Sequence, residues 1–554
     1  METRQARVQQ TPGVRRRDLL KAGLAAGVTL SAWPLSTPSP LWGAEAGTPK
    51  RGGILRVRGW DPPHFDPHLT INNYTNYLLS FVYGRLVRHK TGADVQPGTF
   101  PIEPDLAERW EAPDDTTVLF HLRKGVKWHN KPPLNGREFV AEDVKFTYDR
   151  FLTEKANANR FLLEPVDRVE VVDRYTVKFL LKEPFVWLVD TLAYPWSTWI
   201  MAPEVAQQYG DFKRPETVIG TGPFMLERYE PNVKAVFKRN PEYYRQGQPH
   251  VDGVEWLIVP DESTALAMYR TGQVDVGPQA NHSVRQQDLD SVKKSHPHLM
   301  YQDILSNVPN VVFMRVDMAP FNDVRVRRAI SHAIDRQASI DAIFGRGLPT
   351  GPLARGLVEW ALPPDQLGAG AKYYQYDPKE ARRLLAEAGY PKGFKTQLWV
   401  TTGLSRDLVD DAQLVQGYLK EVGIEAELKP QEHGAYMSTT MQGKFEGLVR
   451  SPFGIAWGPD APLYRTFAAD STWNASHIND PELTAMLKEQ RRTKDLEARK
   501  KIIHDIQRYA AEQVYFVYLN AIIITASWQP YVKNFGPNIT FDYGSRAAAL
   551  WLDR

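Results

Sequence analysis

Apolar and polar positions alternate roughly every second residue in Gly53-Ile54-Leu55-Arg56-Val57-Arg58 and again in Thr116-Thr117-Val118-Leu119-Phe120-His121-Leu122, a period that predicts strands. The second half of the chain is richer in helical spacing. Asp377-Pro378-Lys379-Glu380 supplies an N-cap, a proline at the first helical position and a glutamate at the third. Ala381, Leu384, Leu385 and Ala388 then recur on one face until Gly389 ends the run. Asn479-Asp480-Pro481-Glu482 repeats that start ahead of Leu483, Met486 and Leu487, and Asp323 opens a helix with Val326, Ile330, Ala333 and Ile334 on one side. Strands and helices mixed in this way predict an α/β lobe architecture.

With 554 residues the chain exceeds what one core holds, since cores stop growing at roughly 250–300 residues, so two or three lobes are expected. No low-complexity tract, fixed-period repeat or long charge block follows residue 50, which predicts lobes in contact and a chain that crosses between them more than once.

The first 46 residues read differently. Arg4, Arg7, Arg15, Arg16, Arg17 and Lys21 precede a moderately apolar stretch from Ala22 to Leu30, and Ala44-Glu45-Ala46 offers a small-x-small cleavage site before Gly47. Paired arginines ahead of such a stretch predict a cleaved twin-arginine export signal over 1–46. Pro34, Pro38 and Pro40 interrupt the apolar run short of the roughly 20 residues that a spanning helix needs.

There is no cysteine, which excludes disulfides, thiolate metal sites, a cysteine nucleophile and a lipidated cysteine anchor. A soluble, unanchored periplasmic protein is expected. Six of the 68 Lys and Arg and three of the 65 Asp and Glu lie in the first 46 positions, leaving 62 of each beyond them. That balance carries no footprint for nucleic acid or an anionic membrane.

Several segments in register carry a resemblance. Gly52-Gly53-Ile54-Leu55-Arg56-Val57 is followed by a turn from Asp61-Pro62-Pro63 to Asp66-Pro67-His68. Then come Glu103-Pro104-Asp105-Leu106-Ala107-Glu108-Arg109-Trp110-Glu111, Phe120-His121-Leu122-Arg123-Lys124-Gly125-Val126-Lys127-Trp128-His129 and Ala141-Glu142-Asp143-Val144. Gly220-Thr221-Gly222-Pro223-Phe224, Arg239-Asn240-Pro241-Glu242-Tyr243-Tyr244, Phe321 to Ile330 and Leu384 to Tyr390 complete the series. In this order the chain resembles the family 5 extracellular solute-binding proteins of ABC importers, a group that includes dipeptide, oligopeptide and nickel binders.

The resemblance implies a bilobed periplasmic binding protein of the large three-domain type, with a ligand cleft between the lobes. It places domain I at about 47–98, 219–308 and 520–554, domain II at about 99–218 and domain III at about 309–519. It further implies a monomer that closes on a solute and docks on membrane permease subunits driven by cytoplasmic ATPases. A ligand touching both lobes favours the closed state and shifts the population toward it, so closure takes the place of catalysis. No cofactor is expected.

In peptide-binding members an aspartate in a Trp-rich, Asp-Pro-containing loop pairs with the ligand's amino group. The matching loop here is Gly454-Ile455-Ala456-Trp457-Gly458-Pro459-Asp460-Ala461-Pro462. Registering Pro462 with the family's proline puts Gly458 at the amino-binding position, and Asp460 substitutes only if the loop shifts. A missing carboxylate leaves a buried ammonium unpaired. The ligand therefore stays open between a peptide or peptide-like solute and an oligosaccharide, an opine-like compound or a metal chelate. Trp457, Tyr464 and Trp473 offer stacking faces or core packing. Arg355, in Gly351-Pro352-Leu353-Ala354-Arg355-Gly356, is a candidate for a ligand carboxylate or an ordinary surface arginine.

Metal patterns are thin. His64-x-Asp66-x-His68 and His296-Pro297-His298 lack a third or fourth ligand nearby, so solvated or capping histidines are expected. An exported hydrolase is the competing class, but there is no Gly-x-Ser-x-Gly, His-Glu-x-x-His, Walker or Gly-x-Gly-x-x-Gly motif. A receptor or chaperone-like scaffold for exported peptides is a third reading.

Overall fold

The computed structural model describes residues 47–70, 72–157, 159–277, 286–454, 457–471, 473–539 and 542–554. The expected leader, 1–46, lies outside the described residues. Three larger sheets and two two-stranded pairs, Val87–His89 with Ile102–Pro104 and Val532–Lys533 with Trp551–Leu552, organise the described residues. One has Ile54–Gly59 parallel to Gly253–Ile258, continued antiparallel by Lys234–Arg239 and Phe224–Glu230. A second, wholly antiparallel, runs in the order Ala107–Glu111, Thr117–Leu122, Thr176–Leu181, Val166–Asp173. The third has seven strands in mixed directions: Met300–Leu305, Phe516–Trp528, Asn310–Met314, Leu448–Pro452, Phe394–Thr401 and Ile424–Gln431, with Gly347–Pro349 beside Phe516–Trp528. The predicted strands at 53–58 and 116–122 thus run from Ile54 to Gly59 and from Thr117 to Leu122.

The helix starts follow from local capping chemistry. Asp377 accepts from the amides of Lys379 and Glu380 ahead of Pro378–Glu387, and Gly389 ends that segment at φ +94°, where a side chain would strain the backbone. Asp480 accepts from the Leu483 amide before Pro481–Arg492, and Asp323 from the Arg325 amide before Val324–Ala333. The inward faces of Val324–Ala333 and Pro378–Glu387 pack on the seven-stranded sheet, where Val312, Ile330, Leu385, Leu398, Val415 and Leu448 form a buried cluster, whereas Leu483 and Leu487 of Pro481–Arg492 belong to a different one.

The 13-residue strand Phe516–Trp528 serves two neighbourhoods. Phe516 to Asn520 pair with Phe313 to Asn310, whereas Ile523 to Trp528 pair with Leu305 to Met300. Its partner changes beside residues 306–309, so two adjacent chain segments switch neighbours at the same level. A second, larger apolar cluster joins Leu55, Phe120 and Trp187 from the first half of the chain to Trp457, Leu463 and Phe516 from the second. Burying an aromatic side chain of this size contributes about 2–3 kcal/mol.

Candidate functional site

The loop and helix after the strand Leu448–Pro452 meet the segment 185–199 of the distant first half. Trp457 is 6% exposed, and its indole N–H donates to the Ile539 carbonyl at 2.9 Å. Its ring lies 5.2 Å from Tyr194 and 6.2 Å from Trp196, centroid to centroid. Gly458, which follows, is buried against the same tyrosine: a β-carbon there would stand 3.4 Å from the Tyr194 hydroxyl. A phenol thus faces the position where the resemblance leads one to look for a carboxylate.

Asp460 opens the helix Asp460–Phe467 and is 4% exposed. Its carboxylate is already engaged, accepting from Arg491 at 2.8 and 2.9 Å and from the Gln490 amide. A ligand ammonium would have to displace one of these donors, so Asp460 as placed is a partner of Arg491 rather than a free anion. The Arg491 guanidinium lies on Tyr464, 3.2 Å from the ring centroid, and Tyr464 donates its hydroxyl proton to Asp470. The sequence trio is therefore divided: Trp457 packs on Tyr194 and Trp196, Tyr464 lies against Arg491, and Trp473 faces Phe161 at 6.0 Å.

Gln490 and Arg491 carry the contact across. The Val186 amide donates to the Arg491 carbonyl at 2.9 Å, and the Trp187 indole donates to the Gln490 side-chain oxygen at 2.7 Å. Arg492 pairs with Glu183 at 2.7 Å and Lys494 with Asp115 at 2.5 Å. Asp190 lies in this seam near Arg499 and Asp460; burial pushes its carboxyl up to about 6, and Arg499 offsets only part of that. His89, between Phe100 and Tyr194, is held neutral by burial and the nearby Arg85, its pKa down at about 3.

Arg355 does not line the small cavity formed by Pro352, Leu357, Phe453, Pro462, Thr466 and Tyr518, although its neighbour Ala354 does. Its amide donates to the Thr350 hydroxyl at 3.1 Å, and its guanidinium is half-buried. The histidine motif at 64–68 is structural. Asp66 is fully buried and takes two nitrogens of Arg150, which also contacts His68 Nδ1 at 2.8 Å. His68 is thus buried, correcting the expectation of a solvated or capping histidine; its ring packs on Phe151 and its Nδ1 meets Arg150. No group of three metal-binding side chains occurs among the described residues.

Known proteins share both the sequence and the fold. Residues 101–474 match the family described as bacterial extracellular solute-binding proteins, family 5 Middle. Di/tripeptide-binding protein 1 of Pseudomonas aeruginosa is 31% identical over 485 residues, covering 82% of this chain and 86% of the relative. The chain belongs to the family 5 bacterial extracellular solute-binding proteins. Among solved family 5 folds, the structure of AgaA in complex with agropinic acid, from A.tumefacien R10, superposes with a TM-score of 0.76 at 25% identity, over 91% of this chain and 99% of that one. The Helicobacter pylori periplasmic binding protein DppA, in complex with the peptide STSA, has the same TM-score and coverage at 24% identity and supports the bilobed α/β fold alone. This is a family of binding proteins. Among the described residues no helix is long and apolar enough to cross a membrane.

Sequence reasoning missed Tyr194, Trp196, Gln490, Arg491 and Ile539. The aromatic density of Trp187-Leu188-Val189-Asp190-Thr191-Leu192-Ala193-Tyr194-Pro195-Trp196 was the available signal.

Proposed function

We propose that this protein is the periplasmic solute-binding component of an ABC importer, which captures a peptide or peptide-like solute by lobe closure and delivers it to permease subunits. The supporting observation is the seating of Trp457, which bridges Tyr194, Trp196 and the Ile539 carbonyl from segments far apart in the chain. Domain I takes 47–98, 219–308 and 520–554, domain II takes 99–218 and domain III takes 309–519. The partner switch along Phe516–Trp528 then forms the hinge, since only 306–309 and the middle of that strand need bend. The protein acts as a monomer without catalysis or cofactor. It is exported through the twin-arginine route and carries no lipid anchor.

A relative 31% identical is named for di- and tripeptides, which favours that ligand class. Gly458 favours a second reading, a solute without a free ammonium at that position, and a fold neighbour holds agropinic acid. Calorimetry on protein stripped by unfolding and refolding separates the two. Stoichiometric binding of di- or tripeptides is expected, and binding of opine-type acids with no peptide binding would replace the peptide reading by the second.

A further inference from the structure

Arg465 stands out among the charged side chains where the two halves meet. It lies on the helix Asp460–Phe467, one turn beyond Ala461, and it is partly exposed. Its guanidinium sits 4.0 Å above the Trp473 ring and 5.7 Å from Phe161, and these two rings, one from each half of the chain, lie 6.0 Å apart on the same side of it. Its Nε is buried without a hydrogen-bond partner, and among the described residues no carboxylate pairs with it. Burial alone moves its pKa, down to about 10, with no acid in reach to oppose that. Nearby arginines differ: Arg491 holds Asp460 and Arg492 holds Glu183.

A desolvated cation without an acceptor is costly, and one that stays partly reachable is completed when an anion arrives. The planar guanidinium matches a carboxylate in a two-point geometry, and the Trp473 face on which it lies fixes its plane while Phe161 borders it at the side. We propose that Arg465 anchors a carboxylate of the bound solute, so that the protein selects acids over their neutral amides, with Phe161 and Trp473 holding the fork in place. This rests on the solute-binding reading above and names the chemical class it takes. Arg465 then acts from the second half of the chain while Phe161 closes over it from the first.

The test titrates stripped protein with trialanine and with trialanine amide, for wild type, Arg465→Gln and Arg465→Lys. Wild type is expected to prefer the acid by about tenfold or more, the yield of one charge-assisted hydrogen-bonded pair. Arg465→Gln is expected to lose that preference and Arg465→Lys to recover part of it; an unchanged preference in Arg465→Gln overturns the assignment. Wild type binding neither probe would refute the peptide reading by itself. The carboxylate claim is then decided by methyl esterification of the solute that copurifies, and a solute without a carboxyl group overturns it. Thermal unfolding of the empty proteins guards against a structural role: Arg465→Gln is expected to melt at or above wild type, and a clear fall would assign Arg465 to packing instead.

Discussion

Asp460 and Arg491 form a two-point ion pair, Nε to Oδ1 at 2.8 Å and Nη2 to Oδ2 at 2.9 Å, between the start of one helix and the end of another. Arg491 also offers its carbonyl to the Val186 amide, and its neighbour Gln490 accepts from Trp187. The pair therefore stiffens the surface on which the first half of the chain rests. A carboxylate that looks free in sequence is, in the folded protein, part of the seam.

Asp460→Asn is expected to destabilise the empty protein by about 3–5 kcal/mol, because it leaves the buried Arg491 guanidinium without its countercharge. Urea unfolding of the stripped protein measures this. Wild-type stability together with weaker solute binding would instead make Asp460 a direct ligand anchor.

Trp457→Ala removes the contacts with Tyr194 and Trp196 and is expected to cost about 3–5 kcal/mol. Trp457→Phe keeps most of the packing but leaves the Ile539 carbonyl unpaired, a loss of about 1 kcal/mol. An alanine variant as stable as wild type, with affinity lost, would show a stacking platform and not a seam residue.

Asp190 gives a pH signature. Burial raises its carboxyl to about 6, above the unfolded value of about 4, so the folded state holds the proton more tightly. The penalty is absent below about pH 4, grows as pH rises toward 6 and stays constant above that. Asp190→Asn is therefore expected to unfold at higher urea than wild type at pH 7–8, with the gain fading toward pH 4. A gain equal at both ends of that range would remove Asp190 from the account.

Local chemistry was legible in the chain. Asp377, Asp480 and Asp323 cap their helices within three residues of themselves, so the signal and the structure share one short window. The family motifs likewise led to the α/β fold, while the stretch read as a loop over 454–462 turns helical from Asp460. The seam was not legible, because its partners lie far apart: Trp187 and Gln490 are 303 positions from each other, and Trp457 and Ile539 are 82. Periodicity reports which face of an element is buried and not what buries it. That is why Asp460 reads as a free acid until Arg491 is seen beside it, and why Arg465, in an unremarkable helical turn, shows its missing partner only in three dimensions.

Native mass spectrometry of the protein purified from a periplasmic fraction weighs and fragments what stays bound, and so decides whether the chain carries a peptide-like solute. One bound solute per chain is expected, with fragments that contain amino-acid residues. A monomer that carries no solute and takes up none from a peptide mixture, or one whose adduct contains no amino-acid residue, would contradict it.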